Sequence, residues 1–262
     1  GHLGRLLALE WQTPVTTLEL DATLCAEGRV LAARQAAVQK FIESDALTVS
    51  NWPQAGGHAV ALHACGNLHR RLLQRGAEGG VARFDVAPCC YHRGVTEYYQ
   101  PLATGGELLL SRDDTRLAVT ETVTASPRLA RQRDKEMAWK LGFVACREAL
   151  STSTGYRPFK PVPATWFRGS FAEYLGLMLE RESLPLLGVA AAAEFERAGW
   201  RRQRVLLRLS IVRHAFRRAL EIWLALDLVR YLEQQGYTVR LGRFCTRHLT
   251  PRNLLISAEQ VN

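Results

Sequence analysis

Ala59-Val60-Ala61-Leu62-His63-Ala64-Cys65-Gly66-Asn67 decides how this chain is read. Four apolar residues run without a polar break, as in a strand buried on both faces, and the run ends in His63, Cys65 and Asn67 before a helix that reaches about Gly76. Val81 to Ala87 is the next strand, ending in Pro88-Cys89-Cys90-Tyr91-His92. Upstream, Val15 to Leu20 reads as a strand carrying Glu19 near its end. Ala22 to Ala37 is then a helix capped by Asp21 or Thr23, and Val38 to Ile42 a strand that closes on Glu43-Ser44-Asp45. Alternating strands and helices predict an α/β fold, and in an open parallel sheet ligands bind at the carboxyl ends of the strands.

Outward from this centre the pattern changes twice. Gly1-His2-Leu3-Gly4 precedes the apolar Leu6-Leu7-Ala8-Leu9, a spacing suited to a strand-to-helix turn that lets backbone approach a ligand. The strand that should precede it is missing, so the chain is expected to be a fragment lacking the first strand of its sheet. From Val95 to Arg204 the alternation stops. Helices are expected over 97–102, 127–142 and 170–182, with a loop over Ser151 to Pro163. This predicts a mainly helical insertion, 95–204, between the two parts of one domain, 1–94 and 205–262. A long helix over Gln203 to Gln235 carries Leu209, Val212, Phe216, Leu220, Trp223, Leu226 and Val229 on one face. Thr238 to Phe244 and Leu254 to Ser257 then read as a C-terminal antiparallel strand pair.

The 262 residues are 47% apolar and 23% charged, enough chain for a sizeable core, which excludes a disordered tail or a coiled coil. No apolar run is long enough for a membrane span and no leader is visible, so a cytoplasmic protein without a membrane partner or an obligate protein partner is expected. Six scattered cysteines suit reduced thiols better than a disulfide framework. The net charge of +9 is uneven: residues 1–130 hold 12 basic and 13 acidic side chains, residues 131–262 hold 22 and 12. The second half is the expected surface for a polyanion.

Glu19 lies 15 residues after Gly4, where a carboxylate is able to accept both hydroxyls of a ribose, and Asp45 ends the following strand. With the glycine turn they point to a nucleoside-containing cofactor. A phosphate-cradling loop is not expected, because GxxxxGK[ST] is absent. Cys65, Cys89 and Cys90 admit three readings. They are small buried residues beside a tight turn, or metal ligands with His63 or His92, or a nucleophilic thiolate with one of those histidines as base. The CxxC and HxxxH spacings of zinc sites are absent, so no metal is expected and packing is the preferred reading. Asn67, Asp85 and Tyr91 suit the orienting of an amine or ring nitrogen, Tyr91 also by stacking.

Gly1-His2-Leu3-Gly4 resembles the tail of the glycine-rich first motif of class I S-adenosylmethionine-dependent methyltransferases. ALHACGNL (61–68), APCCYHR (87–93), the helix with Glu221 and Asp227, and TPRN (250–253) resemble one branch. That branch includes the methyltransferase-like 25 proteins and the C-terminal domain of the glutathione S-transferase C-terminal-domain-containing protein. The resemblance implies a Rossmann-like sheet and S-adenosyl-L-methionine as cofactor. It places Gly1 and Gly4 beside the cofactor's methionine part, Glu19 at the ribose and Asp45 at the adenine edge. His63 joins this cofactor-binding group, and Cys65, Asn67, Cys89, Cys90 and Tyr91 form the expected catalytic neighbourhood. The Asp/Asn-Pro-Pro-Tyr/Phe signature of amine methylation is absent, leaving the acceptor open.

The expected activity is methyl transfer by in-line displacement, with RNA or a ribosome-associated substrate as the first expectation for the acceptor. Two alternatives stand beside it: cytosine-C5 methylation of RNA through a cysteine adduct, and a noncatalytic scaffold that binds cofactor or RNA. A dehydrogenase is a poorer reading, since no intact GxGxxG is present.

Overall fold

A computed structural model describes residues 1–50, 52–106, 108–120, 126–150 and 158–261. The chain divides into two compact units, one of residues 1–121 and 217–262 and one of residues 122–216. The expected insertion, 95–204, overlaps the second unit without sharing either boundary.

The first unit begins with helix α1 (His2–Glu10), strand β1 (Val15–Glu19), helix α2 (Ala22–Arg34) and strand β2 (Gln39–Glu43). Asp21 caps α2 by accepting from the backbone N–H groups of Thr23 and Leu24, as its position before the helix predicts. β1 and β2 form a parallel pair, Glu19 opposite Glu43. Phe41 of β2 is buried between two glycines. A Cβ on Gly1 would lie 2.6 Å from its ring and one on Gly28 of α2 2.4 Å away, so neither helix tolerates a side chain there. Gly4 lies inside α1, where an added Cβ would come within 2.7 Å of Gln39 and Thr17. The glycine spacing read as a turn thus starts a helix, and both glycines serve its close approach to β1 and β2.

Next come β3 (His58–Cys65), α3 (Asn67–Glu78) and β4 (Arg83–Cys89), then α4 (Arg112–Leu117). After the second unit the chain returns with α8 (Arg217–Gln234), β5 (Tyr237–Arg243) and β6 (Leu254–Gln260). β3 and β4 are parallel, and the antiparallel β5–β6 pair joins through β6 to give the order β3-β4-β6-β5. The core between this sheet, α3 and α8 is built on Leu73, Phe84, Leu224, Leu228, Leu232 and Ile256.

Two sheets therefore replace the single sheet expected. A cavity of about 720 Å³ separates them, lined by Val15 to Leu18 of β1 on one side and His58 to Leu62 of β3 on the other.

Residues 97–102, expected as a helix, are not helical. Tyr99 N–H donates to the Leu110 carbonyl and Arg112 N–H to that of Glu97, so this segment pairs with residues 110–112 instead. The long helix expected over 203–235 is also two helices. The first, α7 (Val189–Ala215), belongs to the second unit and stops at Phe216, and α8 begins at Arg217 in the first unit.

The second unit also contains α5 (Pro127–Leu150), a 3-10 turn at Ala164–Phe167 and α6 (Phe171–Arg181). The first part of the loop expected over 151–163, residues 151–157, lies outside the described residues. Ser170 and Glu173 form a capping box at the start of α6. α5 and α7 meet through Gly142 and Gly199, where a Cβ on Gly199 would sit 2.2 Å from the Ala138 carbonyl oxygen. Trp139, Phe143, Phe167, Phe171 and Tyr174 fill this unit's separate core. Among the described residues no helix is long and apolar enough to cross a membrane.

Candidate functional site

The carboxyl ends of β3 and β4 are tied together by backbone. Gly66 N–H donates to the Cys89 carbonyl at 3.0 Å, and Arg93 N–H closes the turn after β4 onto the Cys90 carbonyl. Gly66 has a φ of +55° and its added Cβ would fall 2.1 Å from the Arg93 carbonyl oxygen. Gly94, at +89°, would place one 2.2 Å from the Asn67 side chain. Only glycine meets both the backbone conformation and the space, so the two turns interlock. This gives the HACGN and CCYHRG segments a structural reason that spacing alone does not disclose.

Within this junction the predicted residues separate into groups. His63 sits at a bulge in β3 with a φ of +58°, its ring edge-on to Phe244 and its Nδ1 buried without a hydrogen-bond partner. Burial and the Arg252 guanidinium hold its pKa below the ordinary value. Asn67 is the first residue of α3 and is exposed. Cys65 and Cys89 are register partners on adjacent strands, with their sulfurs 3.3 Å apart, and the Cys90 sulfur lies within 4.8 Å of both. Burial pushes the thiols of Cys89 and Cys90 up, each helped by the Cys65 thiol beside it, which opposes a standing thiolate.

Tyr91, expected to stack on or orient an acceptor, is instead buried in the core. Its ring is 1% exposed and packs edge-on against His69 with centroids 5.5 Å apart, so it has no face for a substrate. Burial raises its phenol well above the usual range. Asp85 is also removed from the site: it lies within β4, joined to His58 of β3 at 2.9 Å and to Ser257 of β6.

Glu19 is the last residue of β1, and Asp45 lies two residues beyond the end of β2, its parallel neighbour. Glu19 is half-buried and its Oε1 accepts from Asp21 N–H at 3.1 Å; Asp45, half-buried too, uses Oδ1 for Leu47 N–H at 2.8 Å. In each carboxylate the second oxygen has no partner among the described residues, which suits the hydroxyls and ring edge of a nucleoside. Gly1 and Gly4 border the cavity between the sheets, but their Cβ directions are filled by Phe41, Gln39 and Thr17. The carboxylates thus fit a nucleoside-containing group, whereas the contacts of the glycines are with β1 and β2.

Sequence reasoning missed Arg252 and His69. Arg252 follows Pro251 in TPRN, and its charge acts on His63, Cys90 and His92. The neighbouring Asn253 is buried and donates to the Cys245 carbonyl at 2.8 Å, fixing that turn. The match to TPRN was the one signal for it. His69 is wholly buried, donates from Nδ1 to the Ala64 carbonyl at 2.8 Å, and reads in sequence as an ordinary helix residue.

Residues 1–96 match a family model described as a methyltransferase domain. No curated protein and no solved structure matches the chain. The matched stretch runs from α1 through β4 and the turn that carries Cys89 to Gly94, and it supports a methyltransferase family with methyl transfer as its chemistry.

Proposed function

We propose that the chain takes part in S-adenosylmethionine-dependent methyl transfer, with the cofactor held at the carboxyl ends of β1 and β2 and the acceptor at those of β3 and β4. The observation that carries this is the pair Glu19, the last residue of β1, and Asp45, two residues beyond the parallel neighbour β2, inside the stretch that matches a methyltransferase domain. When bound, S-adenosylmethionine supplies a methyl group on a sulfonium, open to in-line displacement. Glu19 accepts hydrogen bonds from the ribose hydroxyls and Asp45 from the adenine edge. Asn67, at the start of α3, orients the acceptor, while the junction of the two turns keeps that orientation rigid. The raised thiols of Cys89 and Cys90 disfavour the cysteine-adduct route to cytosine C5.

RNA is the acceptor class favoured by the charge. Arg204, Arg208 and Arg213 are exposed on α7, and none makes an ion pair among the described residues. Among the glutamates of the second unit, Glu148 pairs with Arg202 of α7, whereas Glu173 caps α6, Glu182 pairs with Arg147 and Glu196 accepts from Trp139; Glu180 and Glu194 pair with none of Arg204, Arg208 and Arg213 among the described residues. Arg218, by contrast, pairs with Glu221 at 2.6 Å, and Arg217 is half-buried, so neither is counted in this surface.

Tritium transfer from S-adenosylmethionine tests the reading, with the full polypeptide and an extract from cells lacking it, fractionated into RNA, protein and small molecules. Label in RNA is expected. Label confined to protein or metabolites removes the RNA acceptor, and no transfer to any fraction removes the enzyme.

A further inference from the structure

Three sulfur atoms converge where no sequence spacing announces a metal site. Cys65 ends β3 and Cys89 ends β4 as its register partner, while Cys90 turns back with a φ of +47° instead of continuing the strand. A left-handed conformation at a residue with a side chain is strained and persists only where its surroundings enforce it. Its result here is a cluster in which all three sulfurs lie within 4.8 Å of one another, the closest pair at 3.3 Å. Packing of three small side chains does not require them to point at a common centre.

We propose that Cys65, Cys89 and Cys90 form a three-thiolate site for one thiophilic divalent cation of the zinc class, with the fourth coordination position open to water or another ligand. A tetrahedral ion at about 2.3 Å from each sulfur holds the sulfurs about 3.8 Å apart, a separation between the shortest and longest in the cluster. Thiolate donors select zinc-class and cuprous ions over magnesium or calcium. Binding exchanges three S–H protons for three metal–sulfur bonds, so three protons leave and the filled site carries one negative charge. Arg252 stands close enough to act on Cys90 and provides the compensating positive charge. Among the described residues no imidazole nitrogen joins the cluster, which leaves three protein ligands, the arrangement that keeps a metal position accessible. The ion would clip the end of β3 to the turn after β4, the junction already fixed through Gly66 and Gly94.

The proposal does not depend on methyl transfer, and its test reads metal and thiols directly. Reduced, metal-free protein is titrated anaerobically with Zn²⁺, and its cysteines are alkylated and mapped by mass spectrometry. Zinc is expected to bind once per chain and to slow alkylation of Cys65, Cys89 and Cys90 by roughly tenfold or more, leaving half-buried Cys245 unaffected. With Co²⁺ as probe, intense thiolate-to-metal absorption should appear, and be lost in Cys90→Ser. Equal alkylation with and without zinc overturns the proposal, as does a cobalt spectrum without thiolate bands. The protection arm uses the unaltered chain, so a variant that fails to fold does not decide the matter.

Discussion

His69 is held neutral inside the core. Burial is the main cause and lowers its pKa to about 4, while its hydrogen bond to the Ala64 carbonyl only partly opposes the shift. The unfolded chain binds a proton near pH 6.5 that the folded chain refuses until about pH 4, so stability is complete above the first value and is lost as the pH falls towards the second. The loss is about 3 kcal/mol by the usual conversion of pKa shift to free energy. Urea unfolding of the chain across this window should show it. His69→Asn, which keeps a donor for Ala64, should flatten the profile, and an unchanged slope in that variant would place the titration elsewhere. At this scale the sequence made legible where Glu19 ends a strand, where Asp45 follows one and where Asn67 opens a helix, because those boundaries show in the hydrophobic pattern. Tyr91 was misread because burial depends on α3 and α8, and nothing local to Cys90-Tyr91-His92 reports the approach of His69. The grouping of Cys65 with Cys89 and Cys90 was legible from their strand ends, but the closeness of the three sulfurs depends on strand register and on the turn at Cys90, which no spacing reports.

Asp227 shows how an element is fixed by a partner far away in sequence. From α8 its carboxylate accepts from Tyr99 Oη at 2.7 Å, Leu102 N–H at 3.0 Å and Ala103 N–H at 2.9 Å, with Arg70 at 3.8 Å. These bonds, with the pairing to residues 110–112, hold residues 97–103 out of a helix where the local pattern predicts one over 97–102. Asp227→Ala leaves three donors unpaired and the half-buried Arg70 without its counter-charge, and should cost about 3 kcal/mol or more. Denaturant unfolding should show a lower midpoint, with Asp227→Asn falling between the two because its amide oxygen still accepts. An alanine variant as stable as the parent would mean that the pairing alone holds the segment. The break at Phe216 was illegible for a different reason. The expected stripe runs on through it, but Leu209, Val212, Phe216 and Leu226 of that stripe are exposed, and the buried face of α8 is set instead by Leu224, Leu228 and Leu232, with Val229 alone buried from the stripe.

For the whole molecule, strand and helix alternation revealed the α/β character, the parallel β3–β4 pair and the antiparallel β5–β6 pair. The division into two sheets was not readable, since strand order depends on which edges meet, and a cavity of about 720 Å³ lies between β1 and β3. The uneven charge was visible in sequence, but its meaning required the structure. Only there do Arg202 and Arg218 find Glu148 and Glu221, while Arg204, Arg208 and Arg213 stay exposed. The central claim is that Glu19 belongs to a methyl-donor site, and calorimetry with S-adenosylhomocysteine tests it most directly on the full polypeptide and its Glu19→Ala variant. Removing charge-assisted hydrogen bonds worth roughly 1.5–3 kcal/mol should weaken binding about 10- to 150-fold. Equal affinity in the two proteins, or no binding to the unaltered one, would contradict the account.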